Sequence, residues 1–150
     1  MRLVLGLLSL ILIYSAQVGS GKAEERIGQI KVVSGEATIL RKGNETPAKA
    51  GTPLFEKDVV KTGENSAAGM TFTDNSRVSL GPKSELSLEK YAYSRPGRKN
   101  SFDARLKSGS LTATSGQIAK SRPLAMRVLM PTTVLAVKGT TLAARVGDGS

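Results

Sequence analysis

Residues 67–88 read AAGMTFTDNSRVSLGPKSELSL, and their patterning decides the fold class. Ala68, Met70 and Phe72, then Val78 and Leu80, then Leu86 and Leu88 alternate with Thr71, Ser79 and Ser87. A period of two puts the apolar set on one face of a pleated sheet and the polar set on the other. Asp74-Asn75 and Gly81-Pro82 supply turn chemistry between the runs. Loop length follows from keeping the faces apart. A two-residue loop at Asp74-Asn75 would set Phe72 opposite Arg77 and Met70 opposite Ser79. A three-residue loop, Thr73-Asp74-Asn75, sets Met70 opposite Val78 and Ala68 opposite Leu80, so it is the expected one. Such a loop is commonly a type I turn ending in a left-handed residue, a conformation that Asn75 tolerates.

The same reading extends in both directions. Ile27 to Val33 and Glu36 to Arg41 read as strands broken by Ser34-Gly35. Lys42 to Glu45 reads as a tight turn, and Pro47 to Pro53 as a loop, because two prolines interrupt a ladder. Asp58 to Lys61 is a short strand. Tyr91 to Asn100, YAYSRPGRKN, is a basic loop. Ser101 to Lys107 and Ser110 to Ser115 read as two strands across Ser108-Gly109. Met126, Val128 and Met130 alternate as core positions; Thr133 to Val137 is a buried-type run ending at Gly139, and Leu142, Ala144 and Val146 mark a last strand. No window after Glu24 keeps apolar residues at helical spacing over three turns without Gly or Pro. The expectation is one all-β domain of about ten short, mostly antiparallel strands, built as a sandwich or a wrapped, solenoid-like sheet.

The first 23 residues read differently. Met1-Arg2 precedes an apolar run from Leu3 to Tyr14 and a small-residue exit through Ser20-Gly21-Lys22-Ala23, the layout of a secretory signal peptide. The run is short of the roughly 20 apolar residues that span a bilayer. Cleavage is expected after Ala23, with Ser20 as the second choice, giving residues 1–23 as signal peptide and 24–150 as the domain. The chain is then exported, periplasmic or extracellular, and without cysteine it carries neither a lipid-modified cysteine nor a disulfide. Setting aside Arg2 and Lys22, 20 basic residues face 12 acids, a net charge of +8.

Two stretches resemble a known family. Gly51-Thr52-Pro53-Leu54 through Asp58-Val59-Val60-Lys61-Thr62-Gly63, and on to Phe72-Thr73-Asp74-Asn75-Ser76-Arg77-Val78-Ser79-Leu80-Gly81-Pro82, resembles the FecR domain. Pro131-Thr132-Thr133-Val134-Leu135-Ala136-Val137-Lys138-Gly139-Thr140 is similar to that family's valine-arginine-glycine-threonine segment. The resemblance runs from about Ile27 to Val146 and marks Asp58, Gly63, Asp74, Asn75, Ser76, Pro82, Pro131, Lys138, Gly139 and Thr140 as motif positions. It departs where Lys57 and Asn75 replace family glycines, and where Met130 and Lys138 replace a Thr and an Arg. The resemblance implies an extracytoplasmic all-β domain. In the iron-dicitrate regulators such a domain relays receptor occupancy to a sigma factor. Only two residues precede the apolar run here, so no sigma-factor contact is expected and the implied role is binding or scaffolding. The resemblance also implies that strands closing the domain after Val146 are lacking.

Chemistry is sparse. Histidine, cysteine and tryptophan are absent, which removes the commonest general base, thiol chemistry and most zinc sites. No catalytic, cofactor or metal site is expected. Ser87-Leu88-Glu89-Lys90 and Lys61-Thr62-Gly63 match strings of penicillin-interacting enzymes, but in the wrong order, without Ser-Asp-Asn, and with Ser87 on a strand. Gly19-Ser20-Gly21-Lys22 lacks the first glycine of a phosphate loop, and Asn44-Glu45-Thr46 matters only in a eukaryotic secretory route. Lys138 is expected to reach a carboxylate such as Asp58. The candidate anionic-partner surface comprises Tyr91, Tyr93, Arg95, Arg98, Lys99, Arg105 and Lys107, opposed by the plainer reading of a solvated loop whose tyrosines cap the core. The expected function is an exported, non-enzymatic envelope binding domain for a protein or an anionic polymer. The alternative is an exported nucleic-acid-binding β-barrel using residues 91–107. Thr141 to Val146 followed by Gly147-Asp148-Gly149-Ser150 reads as a strand and turn with no returning strand, so strand addition by a partner or a second copy is expected there.

Overall fold

One long strand, Ser101–Thr114, belongs to both halves of the domain. The computed structural model describes residues 24–94, 99–139 and 141–147. Along the chain these form β1 (Gly28–Ser34), β2 (Ala37–Arg41), β3 (Asn44–Pro47), β4 (Pro53–Leu54), β5 (Val59–Thr62), β6 (Ala67–Phe72) and β7 (Arg77–Leu80). There follow β8 (Glu85–Ala92), β9 (Ser101–Thr114), α1 (Gln117–Ser121), β10 (Met126–Leu129), β11 (Val134–Ala136) and β12 (Thr141–Val146). The fold is the expected all-β one, with twelve strands among the described residues where the sequence suggests about ten. One half runs β3-β2-β5-β8 to the first part of β9, which then takes β10 and β11. The other runs β4-β1-β6-β7 to the second part of β9, which also takes β12. All pairings are antiparallel except β9 with β10.

The expected strand pair across Ser108-Gly109 is this single strand, bent rather than reversed. Gly109 has φ +83, and a Cβ there would lie 2.1 Å from Ser84 Oγ. The inward side chains change parity at the bend: Phe102, Ala104 and Leu106 before it, Leu111 and Ala113 after it. That is what one inserted residue in a β-bulge does. Ser84 sits in the elbow. Its hydroxyl donates to Gly81 O at 2.9 Å and accepts from Ser110 N–H at 3.0 Å. Thr62 Oγ1 accepts from Ser84 N–H at 2.9 Å and donates to Gly81 O at 2.6 Å. The Gly81-Pro82 turn therefore carries the chain from one half to the other, since β7 and β8 do not pair with each other.

The β6–β7 hairpin has the expected register, Met70 opposite Val78 and Ala68 opposite Leu80. Phe72 N–H reaches Ser76 O and Asn75 N–H reaches Phe72 O, each at 2.9 Å, and Asn75 has φ +70. The loop is the three-residue one. Elsewhere the boundaries move. Only Lys42 (φ +49) and Gly43 (φ +81) turn the β2–β3 hairpin, and Asn44 and Glu45 already pair with β2. Pro47 and Pro53 lie in β3 and β4, terminal strands of their halves, where a proline costs no interior ladder bond. Tyr91 and Ala92 extend β8 instead of opening the basic loop. Residues 133–137 are not a buried run. β11 pairs only with β10 at the end of its half, Val134 is 53% exposed, and Val137 alone of that run is buried.

The core fills the space between the two halves. Phe72, Tyr91 and Phe102 pack together, with Phe72–Phe102 centroids 4.6 Å apart edge to face and Tyr91–Phe102 at 5.1 Å. Ile30, Ile39, Leu54, Leu86 and Leu106 surround them, Met126 is buried, and Met130 packs half-buried against the cluster. Among the described residues no helix is long and apolar enough to cross a membrane. The signal-peptide reading of 1–23 lies outside the described residues.

The hairpin yields a stability test. Asn75→Gly should be neutral or stabilising, whereas Asn75→Val should cost about 1–2 kcal/mol, because a β-branched residue resists the left-handed region. Phe72→Ala should cost about 3–5 kcal/mol. Denaturant midpoints that move equally for Gly and Val at position 75 would contradict the turn geometry.

Candidate functional site

The motif carboxylates sit in the interior. Asp58 has no solvent exposure. Arg41 grips it with Nε at 2.8 Å and Nη2 at 2.7 Å, and Phe55 N–H adds a third bond at 2.9 Å. The same guanidinium lies 4.5 Å over the Phe55 ring and reaches Pro53 O at 3.1 Å. The cation on Asp58 is therefore Arg41, not Lys138, which is exposed beyond β11. Nothing in the sequence singles Arg41 out, since it closes β2 seventeen residues upstream of Asp58.

Asp74 is also fully buried. Its Oδ1 accepts from Ser76 N–H at 3.1 Å and from the Tyr91 hydroxyl at 3.2 Å. Its Oδ2 accepts from the Ser76 hydroxyl at 2.6 Å and from Ile118 N–H at 3.1 Å. The backbone joins in: Asp74 N–H donates to the Tyr91 oxygen at 3.0 Å, and Asp74 O accepts from Gln117 N–H at 2.8 Å. Gly116 is needed here because a Cβ would lie 2.3 Å from Asp74 O. Asp74, Asn75 and Ser76 are thus the clamp between the central hairpin, α1 and β8. Burial pushes the Tyr91 phenol well above its ordinary value, against the hydroxyl of Thr73 at 2.8 Å, which favours the ionised form.

The other motif positions are turns. Gly63 donates to Glu36 O and accepts from Lys83 N–H, both at 3.0 Å, and Pro82 is exposed in the turn between the halves. Pro131 is exposed after β10, and Gly139 has φ +60. Thr140 lies outside the described residues. Lys57 and Asn75, the two residues standing where the resemblance expects glycine, have φ +76 and +70. Both positions require the left-handed region that glycine enters freely.

The five described residues of the candidate anionic surface are not one patch. Tyr91 belongs to the core and cannot stack on a ligand. Tyr93 packs half-buried at the core edge, and Lys99 is exposed. Arg105 faces outward from β9 and pairs with Glu89 at 2.9 Å, and Lys107 pairs with Glu85 at 3.8 Å. Arg95 and Arg98 lie outside the described residues. Continuing the same outward row, Arg127 of β10 makes a two-pronged pair with Asp103, at 2.9 and 2.7 Å. The outer face of β8, β9 and β10 is therefore a ladder of opposite charges across strands. A cavity of about 330 Å³ is lined by Glu24, Glu25, Glu56, Arg26 and Lys57 beside Tyr91 and Tyr93, three acids against two cations, which does not favour an anionic ligand there. Among the described residues no three His, Cys, Asp or Glu side chains gather where a metal ion could sit.

The motif residues of this all-β domain are buried carboxylate clamps and turns, so they hold the fold together. The family model described as "FecR protein" matches residues 58–150, and the chain belongs to the FecR family. No curated protein and no solved structure matches it.

The Asp74 clamp makes two linked predictions. Each buried donor left unmet costs about 1–3 kcal/mol, so Asp74→Ala should lose about 3 kcal/mol or more. The unfolded chain releases the Tyr91 proton near pH 10, while the folded protein holds it to higher pH. The unfolded state then binds fewer protons, so stability falls as pH rises above about 10. Tyr91→Phe should remove that part of the alkaline loss. Identical pH–stability curves for the two proteins would contradict it.

Proposed function

We propose that this FecR-family chain is an exported, non-enzymatic binding domain of the cell envelope that engages an anionic envelope polymer. One observation carries the reading: the fold spends acids inside and leaves cations outside. Asp58, Asp74 and Asp103 are buried and held by Arg41, by hydroxyl and backbone donors, and by Arg127. Residues 24–150 carry 20 basic side chains against 12 acids; the Arg41–Asp58 and Arg127–Asp103 pairs leave that surplus unchanged, and Asp74, held by neutral donors alone, takes one uncompensated acid out of the surface. Lys31, Lys49, Lys90, Lys99 and Lys120 are all exposed. A surface of that sign attracts polyanions with little demand on sequence or shape. The nucleic-acid alternative needs stacking aromatics, and the ring of Tyr91 is committed to the core.

The exported form should begin at Glu24 or Gly21 by intact mass. It should co-sediment with isolated envelopes at low salt and leave them toward 1 M salt, where the Debye length falls to about 3 Å. Retention indifferent to salt, or a tighter salt-sensitive affinity for single-stranded DNA than for envelopes, would displace this reading.

A second reading, a protein strand as partner, rests on β12. Residues 141–146 pair with 114–109 of β9, and no described strand lies on their other side. Leu142, Ala144 and Val146 pack half-buried on the core, which anchors the strand by one face. Alternate β12 amides should exchange quickly in dilute solution and become protected as concentration rises. Uniform protection at every concentration would mean that the edge is already covered.

A further inference from the structure

A second cavity, of about 230 Å³, opens on the outer face where β8, β9 and the approach to β10 meet. Lys90, Arg122 and Arg127 line it together with Asp103 and Ser101. Their charges do not cancel. Asp103 is occupied by Arg127 at 2.9 and 2.7 Å. Arg122 is held by its Nε, which donates to Asn100 O at 2.9 Å, a bond that aims the guanidinium and leaves its charge uncompensated. Lys90 is exposed beside Asp103 and makes no ion pair with a described carboxylate. Three cations against one carboxylate leave a surplus of about two charges. The decisive atom is Ser101 Oγ. Ser101 is only 5% exposed, it lines this cavity, and its hydroxyl has no hydrogen-bond partner. Buried hydroxyls in native proteins are nearly always paired, and this one finds no acceptor in the chain; its oxygen is sealed from solvent, so it meets a ligand in the cavity by turning about χ1.

We infer that this cavity binds a phosphate group, as a phosphomonoester or as free phosphate. A dianion matches the surplus of two charges, and its oxygens accept from Ser101, Lys90 and the planar guanidinium of Arg122 together. The volume suffices: a water takes about 30 Å³ of liquid, so a tetrahedral oxyanion fits with solvent to spare. The site lies on the face opposite the core and uses none of the residues that clamp the fold at Asp58 or Asp74. It rests on the envelope-binding reading by giving that reading a ligand group, yet it is tested separately.

The purified protein in phosphate-free buffer is titrated calorimetrically with inorganic phosphate, and in parallel floated with vesicles containing phosphatidic acid or phosphatidylcholine alone. Phosphate binding should weaken roughly tenfold or more in Arg122→Gln, the loss of a charge-assisted bond. It should weaken severalfold in Ser101→Ala and stay unchanged in Lys49→Gln, which removes the same charge from a distant loop. Ser101→Ala should also raise the melting temperature of the unliganded protein, because it deletes an unmet buried hydroxyl. A merely structural serine would not couple greater stability to weaker binding. Flotation with phosphatidic acid alone, lost in the same two variants, assigns the group to a lipid. Titration with inorganic phosphate assigns it to a small anion. Binding to neither probe overturns the inference, and so does binding that Lys49→Gln weakens as much as Arg122→Gln. Envelope retention that fails while phosphate titrates, or the reverse, separates the two readings.

Discussion

Asp74 brings a carboxylate to a place without solvent, and the arrangement of the domain follows from satisfying it. An isolated carboxylate in a protein interior is costly unless hydrogen bonds replace its hydration. Four donors do so, from Ser76, Tyr91 and Ile118, and they come from three parts of the chain. Each bond therefore fixes a tertiary relation as well as a charge. Tyr91 ties the hairpin to β8, and Ile118 ties it to α1. The ring of Tyr91 then rests on Phe72 and Phe102, so the polar clamp and the aromatic core share one residue. The second clamp, Arg41 on Asp58, does the same for β2 and the chain entering β5. Surface ion pairs such as Lys83–Glu64 are worth about 0–1 kcal/mol and have no such role.

The second constraint is that β9 serves two sheets. A strand of fourteen residues with one unbroken alternation would present its apolar side chains to one face only. The bulge just before Gly109, where Leu86 pairs with Leu106 but Glu85 with Ser108, shifts the alternation by one residue, so Leu106 and Leu111 both point into the core although they are five positions apart. Ser84 fills the elbow and supplies bonds that the interrupted ladder cannot. The core is closed because one strand turns its corner there.

This also explains what the sequence reveals and what it does not. The central hairpin is legible to the residue because two constraints agree: face separation selects a three-residue loop, and Asn75 tolerates the left-handed position that loop requires. The parity change in 101–115 is equally visible, but a turn and a bulge produce the same local pattern. Only the partners, β8 and β10 for one part and β7 and β12 for the other, decide between them. Residues 133–137 misled for a related reason. An apolar run implies burial when both flanks are covered, and β11 has one neighbour. Polar clamps are harder still. Asp74 and Ser76 are marked by the family resemblance, but Tyr91, Ile118 and Arg41 are long-range partners with no periodicity to announce them.

The electrostatics of the surface are partly a by-product of these clamps. Asp74, held inside by neutral donors, is one fewer acid outside, whereas Asp58 and Asp103 each take an arginine with them and leave the surplus unchanged. Net charge raises encounter rates with every polyanion alike, which accounts for attraction to a polymer and not for selectivity among anions. Specific recognition needs groups fixed in place before the ligand arrives, with some of their bonding capacity unspent. The exposed lysines of the loops lack that property. Arg122 has it, because Asn100 O holds its guanidinium. Where generic positive charge and a preorganised, unsatisfied donor coincide on one surface, as they do beside Lys90, the distinction between attraction and binding has a structural basis.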